Sequence, residues 1–486
     1  MSASRVRAGK GESLATDRSR RGALGVCLTA AFMTLLDVSI VNVALPSIQR
    51  GLGAASADLS WVVSGYALTF GLVLVPAGRF GDQRGRKNAF LLGIVLFTLA
   101  SAFCGLARSP GWLVTSRLVQ GAAAGWVTPQ VYGLIQQMFG GARRARAFGM
   151  LGSVVGIATA VGPVAGGLLI EAFGADDGWR WVFFVNLPIG IAATAVALKV
   201  LPSKAADERP SRTGFDPAGV LLLGAGVVCV MLPFVQEQQW RGRGKWLLIP
   251  LGALVLAAFW LWERRQGLRG RSPALDLRLF RLRSFSLGAL LAMVYFAGFT
   301  TVFFIYSLFL QNGLAYGALQ TGLALVPFAI GSGLAAAAGG RLVVRYGRRL
   351  VVFGLLVVVL GLAATLVAVR LVPGHGAPWA TALPLLLAGL GSGLTISPNT
   401  VLTLTEVPVE LAGAAAGVLQ TGQRIGTAAG IAAVGAVFFA HVANHHDWAA
   451  ALQLGLVTVV FFVLAALAVA LADLRASRAA RAPAQR

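Results

Sequence analysis

Gly78-Arg-Phe-Gly-Asp-Gln-Arg-Gly-Arg-Lys87 and Gly340-Arg-Leu-Val-Val-Arg-Tyr-Gly-Arg-Arg349 align without a gap, with glycines and cations in step at both ends. A short basic segment written twice in one chain marks an internal repeat, and its flanks decide what repeats. Each copy follows a run of about 20 apolar residues, the length at which a helix rising 1.5 Å per residue crosses a hydrocarbon layer about 30 Å thick. The repeat therefore reads as two membrane-embedded halves of like topology, each carrying this loop after its second span.

Working outward, apolar runs of the same length recur along nearly all of the 486 residues, of which 57% are hydrophobic and 12% charged. Soluble domains carry roughly 25% charged residues, so water is not the main solvent of this chain. The pattern predicts an all-α integral membrane protein with fourteen transmembrane helices, from a first window at 23–46 to a last at 449–472. The expected organisation is a tail at 1–22, a six-helix bundle at 23–200, two inserted helices with flanking linkers at 201–284, a second six-helix bundle at 285–472 and a tail at 473–486. No small-residue cleavage site follows the basic N-terminal stretch, so the first apolar run reads as a retained span rather than a signal peptide.

A formal charge of +23 raises the question of nucleic acid. Only Arg50, Arg108, Arg180, Arg241, Arg243, Lys245 and Arg370 fall in one set of alternate connections, and Arg117 and Arg424 fall within spans. All other Lys and Arg lie in the opposite set and in the tails. That asymmetry is the positive-inside rule, so the charge orients the chain in lipid and calls for no nucleic acid. Both termini and the loops at Arg143, Arg212 and Arg271 are expected in the cytoplasm. Cys27, Cys104 and Cys229 sit in apolar runs without metal or redox spacing and read as packing residues.

The first repeat copy, with Gly78, Asp82, Gly85, Arg86 and Lys87, resembles the signature between the second and third spans of the major facilitator superfamily. Three further segments resemble the fourteen-span drug:proton antiporter subfamily: Leu36-Asp37-Val-Ser-Ile-Val-Asn42-Val-Ala-Leu-Pro46, Arg117-x-x-Gln120-Gly121 and Gly162-Pro163-x-x-Gly166-Gly167. Trp179-Arg180-Trp181 through Asn186-x-Pro188 is similar to that subfamily's sixth span. The resemblance implies the major facilitator fold, multidrug or antibiotic efflux from the cell membrane, and protons as the coupling ion. It implies that Asp82 and its neighbours form a loop that latches one conformation during alternating access. It also marks Gly156, Gly162, Pro163, Gly166 and Gly167 as the antiporter-signature helix; the residues themselves show only a thin, bendable helix that others approach closely. Val344 departs from the pattern by standing where the second copy would repeat Asp82, and the later spans carry no carboxylate. A broad cation specificity is therefore not expected.

Of the 18 acidic residues, Asp37 alone falls well inside a span. A carboxylate in hydrocarbon must face a cavity, find a cation or take a proton. Asp37 lies nine residues before Pro46 on an outward-running span, about 13 Å below its end, and Arg117 about 8 Å below Trp112 on an inward-running one. Their depths match, so Asp37 and Arg117 are expected to meet and share proton coupling. Asn42, Gln120, Gln420, Thr421, Arg424 and Thr427 are expected to line the substrate cavity, the last four as a polar stripe that suits an anionic, zwitterionic or hydroxylated molecule.

His441, His445, His446 and Asp447 have a metal-like look but the spacing of a solvated outer loop, and no metal or cofactor is assigned. Gly389-x-Gly391-x-Gly393 has no preceding strand and is not a dinucleotide site. An enzyme would need a nucleophile and base or a metal constellation near one membrane face, and the sequence offers none apart from the weak His cluster. The expected partners are a small-molecule substrate and the lipid bilayer, with the chain working as a monomer. A dedicated metabolite exporter or an importer of the same fold is the alternative within transporters; a channel, receptor or membrane-embedded enzyme is the alternative outside them.

Overall fold

In lipid each backbone N–H must find its acceptor inside the chain, which leaves helices as the natural form of these apolar runs. The computed structural model describes residues 3–174, 176–202, 216–235, 240, 242–269 and 275–479. Arg212 and Arg271, placed by the charge pattern in cytoplasmic linkers, lie outside the described residues, as do the ends of both tails.

The long helices are α1 (Ala3–Leu52), α2 (Ser56–Arg84), α3 (Arg86–Gly105), α4 (Pro110–Met138), α5 (Gly141–Phe173) and α6 (Trp179–Val200, interrupted at Val185). An inserted pair follows, α7 (Pro217–Val235) and α8 (Leu248–Leu268). The chain ends with α9 (Arg283–Leu308), α10 (Ala318–Tyr346), α11 (Arg348–Leu371), α12 (Ala377–Leu404), α13 (Ala412–His445) and α14 (Trp448–Ala479). Among the described residues, 13 helices are long and apolar enough to cross a membrane by length and composition. The helix outside that set is α4, which matches α2 in length at 29 residues but buries the polar side chains of Arg117, Gln120, Gln130 and Gln136.

Packing repeats as the sequence does. In the first six helices α2 packs on α4, α1 on α5, α3 on α4, and α6 on both α3 and α1. Each contact recurs eight labels later: α10 on α12, α9 on α13, α11 on α12, and α14 on both α11 and α9. The two sets meet along α2 against α13 and α5 against α10, and the inserted pair leans on α2 and α13 through α7. Small residues make these crossings close. A Cβ at Gly78 would fall 2.2 Å from the Gly413 carbonyl oxygen, and one at Gly340 would fall 2.5 Å from that of Ala145. Outward faces carry large exposed apolar side chains, such as Leu99, Phe353 and Phe461, where a water-soluble protein would place polar ones.

Both repeated loops turn on a glycine with positive φ, Gly85 at 104° and Gly347 at 53°, a region that other residues enter at a cost. Helix ends reach beyond the sequence-predicted windows. Helix α13 continues to His445, so His441 and His445 sit on its last turns with rings stacked at 4.4 Å rather than in a loop. His446 ends the helix in the left-handed region, and Asp447 accepts from the backbone of Ala449 and Ala450 to start α14. Among the described residues no group of three or more His, Cys, Asp or Glu is placed to hold a metal ion.

Candidate functional site

Depth along α1 and α4 brings Asp37 and Arg117 to one level, and helix rotation turns them face to face. Arg117 Nη1 donates to Asp37 Oδ2 at 2.6 Å and to Gln120 Oε1 at 2.8 Å, while its Nε donates to the Val62 carbonyl at 3.0 Å. Asp37 Oδ1 accepts from Gln120 Nε2 at 2.8 Å and from Asn186 Nδ2 at 3.2 Å. Asn186 also donates to Ser101, and Cys104 donates to Gln120, so α1, α3, α4 and α6 close around one charge pair. Asp37 is 0% exposed and Arg117 2%. Burying either charge alone would cost several kcal/mol; the ion contact and the amide donors offset that desolvation.

The guanidinium of Arg117 also lies over the Tyr66 ring, 4.2 Å from its centroid. One turn further along α2, Phe70 lies 6.1 Å from Tyr66 by ring centroids and carries Arg424 of α13 on its own face at 4.3 Å. Two cations from two different helices are thus stacked on successive aromatic rings of α2.

Arg424 lines a cavity between the two six-helix sets, with an empty volume of about 800 Å³. Gln420 and Thr427 line it as the sequence predicts, together with Thr34 of α1, Tyr132 of α4 and Phe296 of α9. Gln420 Nε2 donates to the Tyr132 hydroxyl at 2.6 Å. Three expected cavity residues are placed elsewhere. Thr421 turns toward α2 and donates to the Gly71 carbonyl; Gln120 belongs to the Asp37 network; and Asn42 is exposed, with its amide donating to the Val38 carbonyl of its own helix. A polar residue fixes depth in a span but not the direction it faces.

The repeated loop occupies the crossing of α2 and α13. Asp82 Oδ1 accepts from Gly413 N at 3.0 Å and Oδ2 from Ala414 N at 2.9 Å, which satisfies free donors at the start of α13 and places a negative charge at its positive end. Arg86 donates to Asp82 at 2.8 Å and to the carbonyls of Gly133 and Val409, tying α2, α4 and the segment before α13 together. Lys87 donates to the Leu198 carbonyl on α6. At the matching place in the second half, Arg348 pairs at 2.5 Å with Asp473 of α14 and donates to Asn399 at 2.8 Å. The acid that Val344 lacks is thus supplied from α14.

Along α5, Gly156 faces Ala329 and Gly333 of α10, while Gly162 and Gly166 face Ser39 and Ile40 of α1. Pro163 packs against Gly322, and Gly167 faces Leu319, both on α10. The helix is therefore small on two sides, one toward each set. Asn186, Tyr66, Tyr132 and Asp473 were not singled out by sequence reasoning; Asn186 stood in the sixth-span motif, and that was the available signal.

Comparison with known proteins agrees with this architecture. Residues 27–431 match the family model described as Major Facilitator Superfamily. The probable actinorhodin transporter of Streptomyces coelicolor is 36% identical over 423 residues, covering 86% of this chain and 72% of that protein. The tetracenomycin C resistance and export protein of Streptomyces glaucescens is 31% identical over 412 residues, covering 85% and 74%. Among solved structures, the human organic anion transporter TETRAN superposes with a TM-score of 0.66 at 15% identity, over 93% of this chain and 99% of that one, a likeness of fold alone.

Proposed function

This chain belongs to the major facilitator superfamily, and on that premise we propose that it exports an amphipathic antibiotic, drug or metabolite across a bacterial cell membrane in exchange for protons. Relatives at 36% and 31% identity carry names of antibiotic transport and export, which supports efflux as the direction. In this reading fourteen spans run as six, two inserted and six, α4 being the fourteenth, with both termini cytoplasmic and the monomer as the working unit. The positive-inside distribution supports that orientation.

The observation that carries the mechanism is the contact series Asp37, Arg117, Tyr66, Phe70, Arg424, which joins the buried ion pair to the wall of the central cavity. Substrate in the cavity contacts Arg424, Gln420 and Thr427. Proton uptake by Asp37 frees Arg117, and the rearranged rings pass the change to the cavity. The loop at Asp82 and Arg86 holds one closed state until that change arrives, and the glycines of α5 let the two sets rock against each other. Everted membrane vesicles test the proposal: energising them should drive fluorescent amphiphiles into the lumen and release protons from it. Substrate-independent proton movement, or uptake that survives a protonophore, would overturn the exchange.

A further inference from the structure

Arg86, Arg117, Arg348 and Arg424, all held within the helix packing, do not share one environment. Arg86 meets Asp82, Arg117 meets Asp37 and Arg348 meets Asp473. Arg424 meets no carboxylate among the described residues, and its buried Nε has no hydrogen-bond partner. No residue lining its cavity is acidic. An uncompensated guanidinium in a membrane interior is costly, and a helix protein keeps one only where water or a ligand supplies the missing acceptor.

We propose that the cavity binds an aromatic amphiphile bearing one ionised acid group, with the Arg424 guanidinium as its counter-charge. The proposal rests on the transport reading above and narrows its substrate class. Of the three classes the polar stripe admits, a neutral hydroxylated molecule would leave the cation unbalanced, and a zwitterion would bring a second cation to a wall that offers it no acid. A simple anion balances the charge. The rest of the wall fits the rest of such a molecule: Phe70, Tyr132 and Phe296 supply aromatic rings, and Gln420 and Gln423 supply amides for further polar groups. The guanidinium carbon of Arg424 lies over the Phe70 ring, 4.3 Å from its centroid, and among the described residues no acceptor takes its N–H groups, so they remain available to a bidentate acid.

A matched pair of fluorescent probes tests this, anilinonaphthalene sulfonate and phenylnaphthylamine, which share their rings and differ in the acid. With the full chain in discs of uncharged lipid, the sulfonate should bind at least about tenfold more tightly than the neutral probe, the range expected of a hydrogen bond between ionised partners. Arg424→Met should abolish that preference and leave neutral-probe binding within about twofold, which also reports that the cavity is still folded. Arg424→Lys should keep part of the preference. Equal binding of the two probes to the parent protein, or a preference that survives in Arg424→Met, overturns the proposal. Uptake into energised everted vesicles reads the export proposal separately. Uphill movement of the neutral probe without anion preference would sink the anion site and keep export, whereas anion preference without uphill movement of either probe would do the reverse.

Discussion

Asp82 and Gly413 face each other across the junction of the two six-helix sets, the carboxylate of one accepting the backbone N–H of the other at 3.0 Å. An acid on α2 therefore caps a helix of the opposite set, and under the alternating-access proposal the contact is expected to break when the two sets part on that side. Caps and charges at helix N-termini contribute about 1 to 2 kcal/mol, a factor of roughly 5 to 30 in a two-state balance. Asp82→Asn should lower the initial transport rate by that order and leave equilibrium probe binding within about twofold, because the cavity is lined by other residues. Parallel measurement of rate and binding decides it; an equal loss in both would place Asp82 in the substrate site instead.

Gly78 tests the same junction by size rather than charge. A Cβ there would fall 2.2 Å from the Gly413 carbonyl, closer than any real contact, so Gly78→Val should prevent α2 and α13 from closing. With Cys27, Cys104 and Cys229 replaced and Val75→Cys as reporter, maleimide labelling should accelerate in the Gly78→Val background, since Val75 is 3% exposed in the closed junction. Labelling as slow as in the parent would mean that the helices accommodate the side chain.

Arg348 and Asp473 pair at 2.5 Å with both side chains at least nine-tenths buried. Removing one partner of such a pair strands the other, and the expected cost is about 3 to 5 kcal/mol. Asp473→Asn should therefore lower the thermal midpoint markedly. The double variant Asp473→Asn with Arg348→Met should lose clearly less than the sum of the single changes, since the stranded charge is gone. Additive losses in thermal unfolding would show that the two side chains act independently.

What the sequence disclosed follows from which physical quantities it encodes. Hydrocarbon thickness sets span length, so the helices and their repeat are legible in the sequence, and antiparallel spans convert residue number into depth, which is why the sequence alone pairs Asp37 with Arg117. Rotation about a helix axis is not encoded so plainly, because a span surrounded by other helices and lipid shows no clean polar face. Hence Gln120 and Thr421 were expected on the cavity wall and instead bond neighbouring helices, and Asn42 was expected there and is exposed. Tyr66 reads as one more aromatic residue in an apolar run until Arg117 is seen on its face. The partner of Arg348 was hidden by position: the repeat points to Val344, and the acid comes from the other end of the half.

Asp37 and Arg117 carry the remaining prediction. Both are almost wholly buried, and their contact at 2.6 Å is reinforced by Gln120 and Asn186 on the carboxylate and by the Val62 carbonyl and the Tyr66 ring on the guanidinium. Asp37→Asn keeps the shape and an acceptor oxygen but cannot bind and release a proton, so proton-driven uptake of the sulfonate probe should fall to background in energised vesicles while the protein remains inserted. Counterflow, which needs no net proton movement, should persist. Arg117→Lys keeps the charge but replaces a planar fork that bonds Asp37, Gln120 and Val62 together with a compact ammonium that cannot reach all three in the same geometry. It should slow coupled uptake at least tenfold with less effect on counterflow, whereas Arg117→Met should destabilise the fold by stranding Asp37. Should Asp37→Asn still concentrate the probe with an unchanged pH profile, the proton must be carried elsewhere, and the buried pair would then be a clamp that fixes α1, α4 and α6 rather than the coupling site.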